Sequence, residues 1–67
     1  MAITRQQAVV LRMLAQGRTP KEVAAALCLA DNTVHAHIDG AKKRLKARTT
    51  IHAVCLWLRS LAEDKAS

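Results

Sequence analysis

Aromatic residues and turn-forming residues are scarce in this chain. It contains no Phe, no Tyr and one Trp, so its core has to be built from aliphatic side chains. The lack of an aromatic surface on which bases could stack argues against an OB-fold or an RRM. Two Gly and one Pro are too few for the many tight turns of a small β-sandwich or barrel. A hydrophobic fraction of 51% nevertheless predicts a packed core rather than disorder.

Acidic residues are also few. The chain has 5 acidic and 11 basic residues, which gives a net charge of +6. For a domain of this size, such an excess predicts a polyanionic partner, either nucleic acid or an anionic membrane surface. The alternative is a surface charge that only keeps the protein soluble. We expect no membrane partner, because four separate helix caps are typical of a globule and not of one long amphipathic helix.

The length of the chain limits the number of domains. A chain of 67 residues accommodates one domain, which we assign to residues 1–67. A domain this small buries only about 60% of the surface that its unfolded chain exposes. Its stability alone is marginal, and a partner subunit or a ligand would add to it.

The cysteines and histidines do not form a metal site. Cys28 and Cys55 are too few for a disulfide framework and no hydrophobic leader precedes them, which favours a reduced, cytoplasmic setting. The pair His35-x-His37 and the lone His52 lack the spacing that completes a tetrahedral zinc site. We predict no metal and no cofactor, with buried cysteines and surface histidines.

Catalytic groups are equally sparse. Ser60 and Ser67 have no plausible general base nearby in the sequence, and the carboxylates are scattered. No glycine-rich phosphate loop is present. We predict that the protein is not an enzyme.

Capping residues divide the chain into four helices. The first two begin with a Thr followed three residues later by Gln or Glu, a capping box: Thr4 with Gln7, and Thr19 with Glu22. Gly17 stands where the first helix should end in a positive φ. Asp31 or Asn32 is predicted to cap the third helix, and Thr49 or Thr50 the fourth. The predicted helices cover residues 5–16, 20–27, 32–45 and 50–62.

The third helix has two different faces. Its apolar positions are spaced by four, three and four residues, at Val34, Ile38, Ala41 and Leu45. The other side carries His35, Asp39, Lys42, Lys43 and Lys46. A short helix, a turn and a second helix with a polar face form a helix-turn-helix arrangement. Residues 20–27 would be its supporting helix and residues 32–45 its recognition helix.

A basic run follows on the third helix. Residues 42–48 hold five of the 11 basic residues and no acidic residue. One or two of these charges would suffice to complement the dipole at the helix C-terminus, which is the simpler explanation. Five charges favour contact with phosphates.

The fourth helix carries more apolar residues than a small bundle needs to bury. Val54, Leu58 and Leu61 lie on a different edge from Trp57. This edge forms either a subunit interface or an exposed strip on a monomer. Trp57 is predicted to anchor a dimer or, alternatively, to lie in the core of the monomer.

Several motifs along the chain together resemble one known family. They are Ile3-Thr4, Val10-Leu11-Arg12-Met13-Leu14-Ala15-Gln16-Gly17, Thr19-Pro20-Lys21-Glu22-Val23-Ala24, Leu27-x-Leu29, Thr33-Val34-x-x-His37, Arg44-Leu45 and Ala53-Val54. With this joint spacing, the chain resembles the LuxR-type (GerE-type) helix-turn-helix domain of bacterial transcription regulators over about residues 3–58. The resemblance implies an all-α fold of four helices.

The resemblance also implies roles for individual residues. It places His35, Ala36 and Asp39 facing bases in the major groove. Together with the basic run, it places the following residues near phosphates: Thr19, Lys21, Thr33, His37, Lys42, Lys43, Arg44, Lys46 and Arg48. The fourth helix resembles the family's dimer-forming helix, with an interface at Val54, Trp57, Leu58 and Leu61.

The expected function is that of a small, sequence-specific DNA-binding transcription regulator. It would act as a homodimer on a palindromic operator of double-stranded DNA. The alternative is an adaptor or antagonist of the same fold, which binds another transcription regulator or RNA polymerase and binds DNA weakly or not at all. Three departures from the family pattern favour that alternative: Ala30, His35 and Asp39.

Overall fold

Four helices make up most of the chain in a computed structural model, which describes the backbone of residues 3–66 and the side chains of residues 3–63. They are α1 (Arg5–Ala15), α2 (Pro20–Leu27), α3 (Asp31–Leu45) and α4 (Thr50–Ala66). The described residues contain no strand, and the predicted all-α fold is confirmed. The fourth helix continues four residues past its predicted end, because residues 62–66 include no glycine or proline that would stop it.

Reciprocal hydrogen bonds close the N-termini of α1 and α2, as the capping boxes predict. The Gln7 N–H donates to Thr4 Oγ1 at 3.1 Å, and Gln7 Oε1 accepts from the Thr4 N–H at 3.1 Å. The Thr19 N–H donates to Glu22 Oε1 at 2.8 Å, and the Glu22 N–H to Thr19 Oγ1. The Thr19 N–H, assisted by the Thr19 hydroxyl, holds the pKa of Glu22 below its usual value.

Left-handed residues end the first three helices. Gly17 follows α1 with a φ of 94°, as predicted. Cys28 and Lys46 follow α2 and α3 with a φ of 57°, a conformation that is costly for residues with a Cβ. The Leu29 N–H donates to the Ala24 carbonyl at 2.9 Å, which closes the last turn of α2.

Two apolar clusters form the core, and α1 and α3 contribute to both. The first joins α1, α2 and α3 through Val10, Val23, Ala24, Val34 and Ile38. The second joins α1, α3 and α4 through Leu11, Ala41, Ala53 and Trp57. Of the two places predicted for Trp57, the structure shows the core, where the residue is 7% exposed.

The expectation of buried cysteines is wrong, since Cys28 and Cys55 are both exposed. Cys28 occupies the left-handed position that reverses the chain after α2. Cys55 lies on the outer side of α4, because Ala53 and Trp57 take the core side. The histidines lie outside the buried core: His35 and His52 are exposed, and His37 is half-buried.

The predicted cap of α3 is also wrong. The N-cap residue is Ala30, which has no side-chain hydrogen bond, and Asp31 is already the first residue of the helix. The Val34 N–H donates to the Ala30 carbonyl at 3.2 Å, so the helix starts directly after Ala30. The preceding residue, Leu29, packs against the first core cluster. Asp31 still interacts favourably with the positive end of the helix dipole.

The missing cap predicts a stabilising substitution. In Ala30→Ser, the hydroxyl accepts a hydrogen bond from a free N–H of the first turn, and the free energy of unfolding should rise by about 1 kcal/mol. Urea unfolding measures this change. The matched control is Ala26→Ser, at an exposed position inside α2, where Ser has a lower helix propensity and should destabilise by about 0.5 kcal/mol. Equal effects of the two substitutions would contradict the assignment of Ala30 as an uncapped N-cap.

Candidate nucleic-acid interface

The turn between α2 and α3 holds the two helices at a fixed angle. It consists of residues 28–30, as predicted from the sequence. Cys28 reverses the chain, and Leu29 packs its side chain against the first core cluster. Both helices add residues to that cluster, so α3 cannot move on α2 without disturbing the core.

The outer side of α3 presents a continuous exposed stripe. Asn32, Ala36, Asp39 and Lys43 are all exposed and are spaced by four, three and four residues. They lie opposite the buried Val34, Ile38 and Ala41. The structure therefore places two of the predicted base-facing residues, Ala36 and Asp39, along the centre of this stripe, and the exposed His35 beside it.

Asn32 is a member of the stripe that the sequence interpretation missed. It was considered only as a cap, but it precedes Ala36 by one helical turn and is exposed. The spacing of four residues between Asn32 and Ala36 could have shown from the sequence that both lie on the same face of the helix. Its amide offers a donor and an acceptor, the pair of groups that an adenine edge requires.

The carboxylate on the stripe has a cationic neighbour. Asp39 Oδ1 lies 3.9 Å from Lys42 Nζ, one turn further along α3. The side chain of Asp39 is 70% exposed, while that of Lys42 is 29% exposed. A pair this open to solvent contributes little to stability. It does reduce the net charge that these two residues present to a ligand.

The basic run lies on the surface from the last turn of α3 into the loop before α4. Lys43, Arg44, Lys46 and Arg48 are exposed, and Lys42 is half-buried. Local hydrogen bonds order the loop. The Arg48 N–H donates to His52 Nδ1 at 3.2 Å, and the His52 N–H donates to Thr49 Oγ1 at 3.0 Å. The cations therefore extend from a helix end and an ordered loop.

The other predicted phosphate contacts lie near the starts of α2 and α3 and, for His37, in the middle of α3. Thr19 and Lys21 are exposed at the N-terminus of α2, and Thr33 is exposed in the first turn of α3. His37 is half-buried, so only part of its ring is accessible. The Thr19 hydroxyl accepts the Glu22 N–H and so belongs to the capping box of α2.

A groove between the end of α3 and α4 adds one basic residue to this surface. It encloses about 260 Å³, and its charged lining residues are Arg44, Lys46, Arg59 and Glu63. Arg59 was not predicted to belong to the basic surface, because it lies far from the run in sequence. Its position on α4 became evident only from the packing of α4 beside α3.

The described residues contain neither a candidate metal site nor a helix that could span a membrane. Within the described part of the chain, no three His, Cys, Asp or Glu side chains are grouped so that they could hold a metal ion. None of the described helices is long and apolar enough to cross a membrane.

Comparison with known proteins identifies the family. Residues 1–57 match the bacterial regulatory proteins of the luxR family. The chain belongs to this family. A relative that is 32% identical over 53 residues is the glycerol metabolism activator of Pseudomonas putida. The matched segment covers 79% of this chain and 24% of that protein, so the chain spans about a quarter of the relative's length.

Family membership confirms two predictions made from the sequence. The resemblance to the LuxR-type domain is correct, and the four helices are those of a helix-turn-helix domain. The family is one of bacterial regulatory proteins and the relative is named as an activator, which supports the prediction of a regulator domain.

Proposed function

We propose that this domain binds double-stranded DNA in a sequence-specific manner, with α3 in the major groove. The observation that carries the proposal is the exposed stripe of α3, which is opposite its core face and continues into the exposed basic run. A helix fits the major groove of B-DNA, where base edges present distinct patterns of donors and acceptors. Bacterial chromosomal DNA lies in the cytoplasm, so we propose that the protein acts in the cytoplasm.

The residues of the stripe suit different base edges. His35, Ala36 and Asp39 are proposed to face bases. A methyl group such as that of Ala36 contacts the methyl of thymine, and the carboxylate of Asp39 accepts a hydrogen bond from cytosine N4. His35 donates or accepts through its ring nitrogens. Asn32 is added to this set because of its place on the stripe.

The cations supply most of the affinity in this proposal. Lys43, Arg44, Lys46 and Arg48 are exposed around the C-terminal end of α3, where a recognition helix approaches the sugar-phosphate backbone. Thr19 and Lys21 add contacts from the start of α2, Thr33 from the first turn of α3 and His37 from the middle of α3. Neutralised phosphates release counterions, so binding should weaken steeply as salt rises.

A two-fold dimer through α4 completes the proposal. The large apolar side chains that remain exposed among the described residues are all on α4: Ile51 at 76%, Leu58 at 46% and Leu61 at 38%. With the half-buried Val54 they are spaced by three, four and three residues, which forms one strip along the helix. Trp57 is turned into the core and contributes little to this strip. A two-fold pair would present two copies of α3 to a palindromic operator.

A second candidate function is favoured by Asp39, because its exposed carboxylate would repel the phosphates that line the groove. In this alternative the same surface binds another transcription regulator or RNA polymerase, and DNA binding is weak or absent.

Selection of binding sites from random duplex DNA separates the two proposed functions. An enriched palindromic motif supports the DNA-binding proposal. No enrichment, with retained binding to a partner protein, supports the alternative.

The basic run predicts a specific salt dependence. The double substitution Lys43→Gln with Arg48→Gln removes two phosphate contacts and should lower the magnitude of the slope of log K against log[salt] by about 1.8. Fluorescence anisotropy at several salt concentrations measures this slope. The matched control is Arg5→Gln with Arg12→Gln, which removes the same charge from a groove of α1 beside Trp57 and should leave the slope unchanged. Equal slopes for both double variants would show that only the net charge matters.

Asp39 is predicted to lower the affinity for DNA and to raise the discrimination between DNA sequences. Asp39→Ala removes an anion that faces DNA, so affinity for scrambled duplexes should rise. The same change removes a hydrogen-bond acceptor, so discrimination at one base pair should fall by about 1–3 kcal/mol. Titrations of specific and scrambled duplexes measure both quantities. An equal rise in the two affinities would show that Asp39 reads no base.

The exposed strip of α4 predicts the effect of a charge placed on it. Leu58→Glu should convert a dimer to a folded monomer, because a carboxylate cannot be buried unpaired in an apolar interface. Sedimentation at tens of micromolar protein measures the mass, and circular dichroism confirms the helices. Arg59→Glu, on an exposed position beside the strip, is the control and should remain dimeric. A wild-type chain that is monomeric both free and on DNA would refute the dimer.

A further inference from the structure

Among the described residues, Gln7 is the one polar side chain that is buried. The residue is 8% exposed and lies on the side of α1 that packs against α3. Its neighbour on α3 is Gly40, which is half-buried in the middle of that helix. Glycine inside a helix is about 1 kcal/mol less favourable than alanine, so its presence here needs a physical reason.

The reason is space. A methyl group added at Gly40 would lie 2.6 Å from Gln7 Nε2 and 3.7 Å from Gln7 Cδ. The first distance is well inside the ordinary contact of about 3.5 Å between non-bonded heavy atoms. Gly40 has the usual φ of a helical residue, so the glycine is not required by backbone conformation. The amide of Gln7 therefore lies directly against the backbone of α3.

A hydrogen bond opposes movement of the Gln7 amide away from Gly40. Its Oε1 accepts the Thr4 N–H at 3.1 Å, as part of the box that begins α1. Its burial leaves little room for another rotamer. A methyl at position 40 would either move the amide out of the capping box or move α3 away from α1.

We infer that the contact between Gln7 and Gly40 sets the position of α3 on α1 and so tunes base discrimination. The inference rests on the proposed DNA binding. Gly40 follows Asp39 and is one turn from Ala36, so a displacement of the helix moves the base-facing residues with it. Hydrogen bonds to bases weaken steeply with misplacement, whereas charge interactions with phosphates change slowly with distance. Gln7 and Gly40 are thus positioning residues for sequence reading, and they touch no DNA themselves.

The test is a pair of variants assayed on specific and scrambled duplexes. Gly40→Ala should lower the ratio of the two affinities about tenfold, the equivalent of one base contact, while the scrambled affinity and the salt slope stay unchanged. Gln7→Ala added to Gly40→Ala removes the amide that the methyl meets and should restore most of the ratio. Thermal unfolding identifies a temperature at which all variants are folded. A loss of both affinities by one factor, or no rescue in the double variant, would overturn the inference.

A second measurement needs no DNA. In the free protein, amide resonances of residues 35, 36 and 39 should shift in Gly40→Ala and return towards wild type in the double variant. Unchanged resonances would overturn the positioning role even when DNA binding is intact. Shifted and rescued resonances in a protein that binds no DNA would refute the proposed function and the link to base reading, but confirm the contact as the determinant of helix position.

Discussion

The packing of one face of α3 is the constraint on which the rest of the structure depends. Val34 and Ile38 enter the first core cluster and Ala41 enters the second, so α3, like α1, joins the two parts of the core. The other three helices all pack against α3. Because the helical period fixes the angle between positions, burial of these three residues forces Ala36, Asp39 and Lys43 outwards. The exposed stripe is therefore a consequence of the core.

The exposed stripe of α3 carries one carboxylate and lies beside a group of cations. The cations gather at the C-terminal end of α3, where they also complement the helix dipole. Asp39 lies on the stripe itself, and its neighbour Lys42 offsets part of its charge. In the proposed function, long-range attraction from the basic run brings DNA to the domain, and the short-range groups of the stripe select among sequences.

Local signals in the sequence predicted most of the fold. The capping boxes, Gly17 and the spacing of apolar residues predicted the helices because each depends on residues within one or two turns. Features that depend on packing between distant segments were not predictable in this way. The contact of Gln7 with Gly40 and the place of Arg59 beside Arg44 are of this kind. The start of α3 was misjudged because the helix begins after Ala30, which has no side chain that could cap it.

In the proposed function, α3 and the basic run contact DNA, while the exposed apolar strip of α4 contacts a second copy of the chain. Titration of the isotopically labelled protein with duplex DNA, followed by amide resonances, tests it most directly. The account predicts that the largest shifts fall within residues 32–48, with smaller ones at the start of α2. Shifts concentrated on the exposed side of α4 or on α1, with residues 32–48 unaffected, would contradict it.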